Sequence, residues 1–217
     1  MHIMDGILSP LWVAIWFIVA APFLAVGLVK IARKRRENPA YMSLLALMGA
    51  TVFILSVWHI PVPVTGSCSH PCGVALSAII VGPFESVVLA FIALFFQMFL
   101  AHGGITTLGA NTVSMGIVGG FLGYGVYLAL RRLGVQLWIS AGVAGFIGDL
   151  ATYVTTAGQL ALSLHPQEVI RYWGFFSMGF LPTQVPLAII EFAVTAAIVR
   201  YIAISHPEVL GGMKKIG

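Results

Sequence analysis

The stretch LWVAIWFIVAAPFLAVGLV, residues 11–29, holds no charged side chain, and Lys30, Arg33, Lys34, Arg35 and Arg36 follow it at once. An uncharged apolar run of this length matches one helical crossing of a bilayer, which needs about 20 residues. Lys and Arg beside a span stay on the cytoplasmic side, so the basic flank also orients the chain. Moving outward, residues 41–58 read as a second span and 84–101 as another, the latter carrying Glu85 and Gln97. Residues 109–130, 133–164 with Asp149 inside, and 174–205 with Glu191 inside complete the long runs. The apolar run 73–82 is too brief for a full crossing; its flanks extend it, or it packs behind other helices. Counting it gives seven segments and an all-α membrane protein.

The composition agrees. Of 217 residues 59% are hydrophobic and 8% charged, against about 25% charged in an ordinary soluble domain. That balance excludes a water-soluble globule, a disordered chain and a nucleic-acid-binding module, because 11 basic and 7 acidic residues cannot coat a surface or line a phosphate groove. The length allows about six to eight spans and no soluble domain, so residues 1–217 read as a single transmembrane domain of the cell (inner) membrane. With seven crossings, Arg131, Arg132, Arg200, Lys214 and Lys215 join the first basic cluster inside, and only Arg171 lies outside. The N-terminus is then extracytoplasmic and the C-terminus cytoplasmic. Six spans would put Arg131 and Arg132 outside. No basic region or small-residue cleavage site precedes the first span, so Met1 is expected to persist in the mature protein.

Helix contacts in lipid favour small residues. Gly116, Gly119, Gly120, Gly123 and Gly125 in the fifth segment, and Ala141, Gly142, Ala144, Gly145 and Gly148 in the sixth, suit packing inside the bundle. Ala21 and Ala25, four apart in the first span, are a candidate docking face for another membrane subunit.

Five of the six histidines, His2, His59, His70, His102 and His165, fall on the outer face in this topology. The α-amino group of Met1, the amide nitrogen of His2 and its Nδ1 can close two adjacent chelate rings around one metal ion. One further nitrogen completes a plane of four, a donor set that suits Ni(II) and Cu(II) and accommodates Co(II). The amino group must lose its proton first, which its reference pKa near 7.7–8.0 permits. Mg(II) and Ca(II), which want oxygen ligands, are disfavoured.

The fourth donor is sought in Thr65-Gly66-Ser67-Cys68-Ser69-His70-Pro71-Cys72-Gly73, where Thr65, Ser67 and Ser69 stand ready to orient His70 or the N-terminal segment. Two other readings stay open: His70 capping the next helix, and a soft site of Cys68, His70 and Cys72, although alternating loop positions are expected to point apart. His59 reads as an interfacial residue or a helper of the site, and His102 opens a polar turn that is structural or covers the site. The two cysteines are too few for a disulfide framework.

Glu85, Asp149 and Glu191 are costly inside a membrane unless paired. They read as structural partners or, alternatively, as the path of an autonomous secondary cation transporter. No Walker A motif, nucleophile with a base, or dinucleotide fingerprint is present, so the chain is expected not to be an enzyme.

Four motifs, Met1-His2-Ile3-Met4-Asp5-Gly6, Gly66-Ser67-Cys68-Ser69-His70-Pro71, Ala101-His102-Gly103-Gly104 through Leu108-Gly109-Ala110-Asn111, and residues 148–156, resemble the CbiM/NikM family. These are substrate-capture subunits of energy-coupling-factor (ECF) transporters for cobalt and nickel, and the resemblance covers nearly the whole chain. It implies a seven-helix bundle with the N-terminus inserted into its outer face. Met1, His2 and His70 are the implied metal ligands, Co(II) or Ni(II) is the transported substrate, and no catalytic cofactor is implied. The implied partners are a membrane coupling subunit, cytoplasmic ATPase subunits that hydrolyse ATP, and a small auxiliary membrane protein. The His70 loop looks like the cobalt branch linked to cobalamin synthesis, residues 5–10 like nickel members, and Cys72 stands where a Thr is expected.

Overall fold

The computed structural model describes residues 2–62, 65, 67–100 and 102–210. Met1, Gly66, Lys214 and Lys215, which the sequence reading uses, lie outside the described residues. Helix α1 (Pro10–Glu37) starts with Pro10 in its first turn, where a missing N–H costs nothing, and ends in Lys34, Arg35 and Arg36, whose charge suits a helix C-terminus. Helix α2 (Tyr41–Val57) follows, then a two-stranded antiparallel ribbon of β1 (Ile60–Val62) and β2 (Ser67–Ser69), in which Pro61 faces Cys68. Next come α3 (Val74–Val81) and α4 (Pro83–Gln97), the latter continued by a 3-10 turn, Met98–Leu100. Helix α5 (Leu108–Asn111), a π-helical stretch (Thr112–Gly119) and α6 (Gly120–Arg132) form one continuous rod. Helices α7 (Leu137–Leu164) and α8 (Val169–Ser205) pair along their lengths, and α9 (Pro207–Leu210) closes the described chain.

Five of these segments are long and apolar enough to cross a membrane: α1, α4 with its 3-10 turn, α5 through α6, α7 and α8. With α2, of 17 residues, and α3, of eight, they make the seven expected segments in an all-α membrane fold. Large apolar side chains such as Ile18, Leu47, Ile54, Ile170 and Ile204 stand exposed around the bundle, as a lipid-facing surface requires. The last helix begins five residues earlier than its apolar run, because Arg171 pairs with Glu168 and Trp173 donates to the Val154 carbonyl, so this polar turn stays helical.

Segment α3 explains two of the three buried carboxylates, Glu85 and Glu191. All eight of its residues are buried, and eight residues of helix rise only about 12 Å. Both ends therefore lie within the bundle, where unpaired backbone groups are expensive. At its start, the Glu191 carboxylate accepts the amides of Cys72 (2.5 Å) and Gly73 (2.8 Å). At its end, Lys34 Nζ donates to the Val81 carbonyl (2.7 Å) and pairs with Glu85 (2.6 Å). An anion thus sits at the positive end of the helix and a cation at the negative end, the arrangement its dipole favours. Gly73 (φ 68°) and Gly82 (φ 114°) take left-handed backbone angles that make the abrupt turns on either side possible.

The small residues serve packing within the bundle. A Cβ on Gly148 would stand 2.7 Å from the Gly119 carbonyl, and one on Gly142 would meet the Phe192 ring at 2.8 Å. Gly125 has open space around it, while Ala21 and Ala25 are exposed on α1. One core cluster lies at the end where Ile3, Cys72 and Tyr153 meet, and another at the basic end, around Ile31, Val81 and Val199.

Glu191→Ala orphans two buried amides and is expected to cost about 2–5 kcal/mol. Thermal unfolding in detergent should show a lowered midpoint, and an unchanged one would show that the cap is dispensable.

Candidate metal centre

The N-terminal segment is held mainly through its backbone. Ile3 N–H donates to Asn111 Oδ1 (3.0 Å), and the Ile3 carbonyl accepts from Thr107 Oγ1 (2.5 Å) and Asn111 Nδ2 (3.4 Å). Asp5 accepts from both the amide (3.0 Å) and the hydroxyl (2.5 Å) of Thr106. Gly103 turns the chain at φ 75°, and a Cβ on the next residue, Gly104, would overlap the Asp5 carboxylate, so the turn runs directly against the N-terminal segment. The turn from His102 to Asn111 is therefore a clamp that seats residues 2–5 in the bundle, with Ile3 fully buried and His2 1% exposed.

The hydrogen bonds fix the tautomer of His2. Ser56 Oγ donates to the Val52 carbonyl, so it accepts from Gln97 Nε2 (2.6 Å). Gln97 Oε1 then faces His2 Nε2 at 2.7 Å and can only accept. The proton sits on Nε2, and Nδ1 keeps its lone pair, as chelation with the preceding amide and amine would require.

His70 is prepared in the same way. Its Nδ1 lies 2.9 Å from the Pro71 carbonyl, which can only accept, so Nε2 carries the lone pair. That nitrogen is buried and has no hydrogen-bond partner. The Tyr153 hydroxyl accepts from the His70 amide (2.8 Å) and donates to the His70 carbonyl (3.0 Å), locking the backbone on both sides. The His2 and His70 rings lie 4.5 Å apart.

A third donor stands beside them. Cys68 Sγ is 3.3 Å from His2 Nδ1, and donor atoms of His2, Cys68 and His70 lie within 4.8 Å of one another. With metal–nitrogen bonds near 2.0–2.1 Å and metal–sulfur near 2.3 Å, that spacing corresponds to an angle of about 100° at a shared ion, so the two atoms can be neighbouring ligands. The expectation that alternating loop positions point apart is corrected here. Residues 67–69 are a strand, whose period of two turns Cys68 and the following His70 to one side. Cys72 lies beyond the strand and groups with Asp149 and Glu191 instead, so the Cys68, His70, Cys72 combination does not assemble.

The other candidates divide. Ser67 Oγ donates to the His2 carbonyl (3.2 Å) and so orients the N-terminal segment. Ser69 bonds to Thr183 and Thr65 to the Val62 carbonyl, both serving the ribbon's placement. His59 and His102 meet ring to ring at 3.7 Å, and His102 lies 5.7 Å from His2. His165 stacks on Tyr172 away from the site. Gln97, Asn111 and Tyr153 were not singled out by the sequence. Asn111 and Tyr153 sit inside two of the family motifs, which is the signal that could have found them.

Burial lowers the His2 imidazole to about 3 and, with His59 and His2 close by, His102 to about 4. Burial and the neighbouring His2 also hold His70 well below its usual range. All three are neutral near pH 7, so their lone pairs are available and protons compete weakly for them.

A multi-pass membrane bundle with convergent imidazoles defines a membrane protein with a candidate transition-metal site. Its fold matches the crystal structure of a transition metal transporter with a TM-score of 0.83 at 26% identity, over 94% of this chain and 92% of that one. A truncated transition metal transporter matches with a TM-score of 0.81 at 27% identity, over 95% of this chain and all of that one. Residues 2–209 match the family model described as CbiM, cobalt uptake substrate-specific transmembrane region, and the chain belongs to this family. Among its relatives, the cobalt transport protein CbiM of Geobacter sulfurreducens is 47% identical over 98% of this chain, which spans 62% of that protein's length. CbiM of Sorangium cellulosum is 39% identical over all of this chain and 97% of its own length.

Two outcomes follow from the tautomer network and the lowered pKa values. Gln97→Leu removes the acceptor that fixes His2 and is expected to weaken metal binding about 10- to 100-fold, measured by titration calorimetry; unchanged affinity would show that Gln97 does not set the tautomer. In the metal-free protein the unfolded chain takes up protons below pH about 6.5 while the buried histidines do not. Stability present above that pH should therefore decline as pH falls toward 4, visible as a falling melting temperature.

Proposed function

We propose that this chain is the substrate-capture subunit of an ATP-driven ECF-type importer for Co(II), with Ni(II) accepted by the same donors. The observation that carries the proposal is the pair of buried lone pairs, His2 Nδ1 and His70 Nε2, each freed by a hydrogen bond that holds the proton on the opposite nitrogen. The amine of Met1 and the amide of His2 supply the remaining nitrogens in this reading, beside Cys68. The names of the relatives support cobalt as the ion.

On this reading the chain is not itself an enzyme. Cytoplasmic ATPase subunits hydrolyse ATP, a membrane coupling subunit docks on the exposed Ala21 and Ala25 of α1, and a small auxiliary membrane protein completes the assembly. An autonomous secondary transporter has less support, because Glu191 caps α3, Glu85 is paired with Lys34 and Asp149 accepts from Gln184.

The test is a titration of purified protein with Co(II) and Ni(II), alongside His70→Ala and a variant with one extra residue ahead of Met1. Removing a ligand should weaken binding by about 100-fold or more while the helical circular dichroism stays unchanged. Wild-type affinity in both variants would refute the site. Reconstitution of the lone chain in liposomes should give binding without uptake; uptake there would favour the secondary transporter.

A further inference from the structure

The donors at His2 and His70 are sealed: the two side chains are 1% and 0% exposed. An ion arriving from water must therefore shed its hydration shell somewhere on the way in. Transition-metal ions do so by exchanging water for protein ligands one at a time, and imidazole nitrogen is a preferred first replacement.

Two further imidazoles adjoin the site, one of them exposed. His59, just beyond the end of α2, is exposed. Its ring centroid lies 3.7 Å from that of His102, with the planes at 68°. His102 is 7% exposed, and its Nδ1 is buried without a hydrogen-bond partner. Its ring lies 5.7 Å from His2, which is 4.5 Å from His70. The four rings form a row in which exposure falls step by step and each ring is within reach of the next. A histidine kept only for packing would satisfy both ring nitrogens or turn one to water; His102 leaves a buried nitrogen uncommitted.

We propose that His59 and His102 form a portal site that takes a partly hydrated divalent transition-metal ion from solvent and passes it to the buried donors. The inference rests on the reading that His2 and His70 hold the transported ion. No bond other than metal–ligand bonds changes: an imidazole replaces a water on arrival, and His2 Nδ1 and His70 Nε2 replace imidazole and water on transfer. The pair governs how fast the ion arrives and leaves, not how tightly it is finally held.

Stopped-flow binding of Co(II) to purified protein, with equilibrium titration of the same samples, tests this. His59 is exposed and outside the buried donor set, so His59→Ala should leave the fold intact. Association and release should both slow, by at least about fivefold, with the equilibrium constant unchanged. Unchanged rates would overturn the proposal. So would weaker equilibrium binding at an unchanged association rate, which would make His59 part of the final site. Absence of Co(II) binding by the wild type, or full binding by His70→Ala, would instead defeat the buried-site reading and the portal with it.

Discussion

A helix of eight residues cannot cross a hydrocarbon layer of about 30 Å, so both ends of α3 must be satisfied among other helices. The Glu191 carboxylate on the amides of Cys72 and Gly73, and Lys34 on the carbonyl of Val81, meet that requirement. The His70 half of the metal centre depends on the first of these contacts. It fixes the depth at which the chain enters α3, and hence where His70 sits two residues earlier. The third segment itself is only eight residues long, so the ribbon and the N-terminal residues occupy depth that a full-length helix would fill.

The two donor histidines are immobilised by a common device. Tyr153 grips the amide and carbonyl of His70, and Asn111 with Thr107 grips those of Ile3, next to His2. Holding the main chain leaves the imidazole nitrogens for the ion, while Gln97 and the Pro71 carbonyl decide which nitrogen carries the proton. Burial makes this strict, since a charged imidazole is strongly disfavoured away from water.

Much of this was legible in advance. Apolar runs and basic flanks locate six spans, because hydrocarbon thickness constrains helix length directly, although α1 runs eight residues past Val29, through the basic cluster, to Glu37. The topology those charges impose puts His2 and His70 on one face, but it does the same for His165, which stacks on Tyr172 away from the site. The partners of α3 were not legible: nothing in the chain links Glu191 to Gly73, 118 residues away, or Lys34 to Val81. Gln97 reads as an ordinary polar residue in a span until its distance to His2 is known. The ribbon was hidden because Pro61 weakens a strand signal and three-residue strands are too short for period-two patterning. Hence Cys68 and Cys72 looked equivalent, although one lies on the strand and the other past its end.

The cap on α3 also bears on how such a molecule is made. The segment carrying His70 is synthesised in the first third of the chain, but Glu191 emerges only 118 residues after Gly73. At about 5–20 residues per second the ribosome needs roughly 6–24 s to cover that distance. During that interval the beginning of α3 lacks its anion and the loop above it lacks its anchor. The earliest-made half of the metal centre thus waits for α8, and a nascent chain released before that helix would carry the histidines without the cap that anchors the His70 loop.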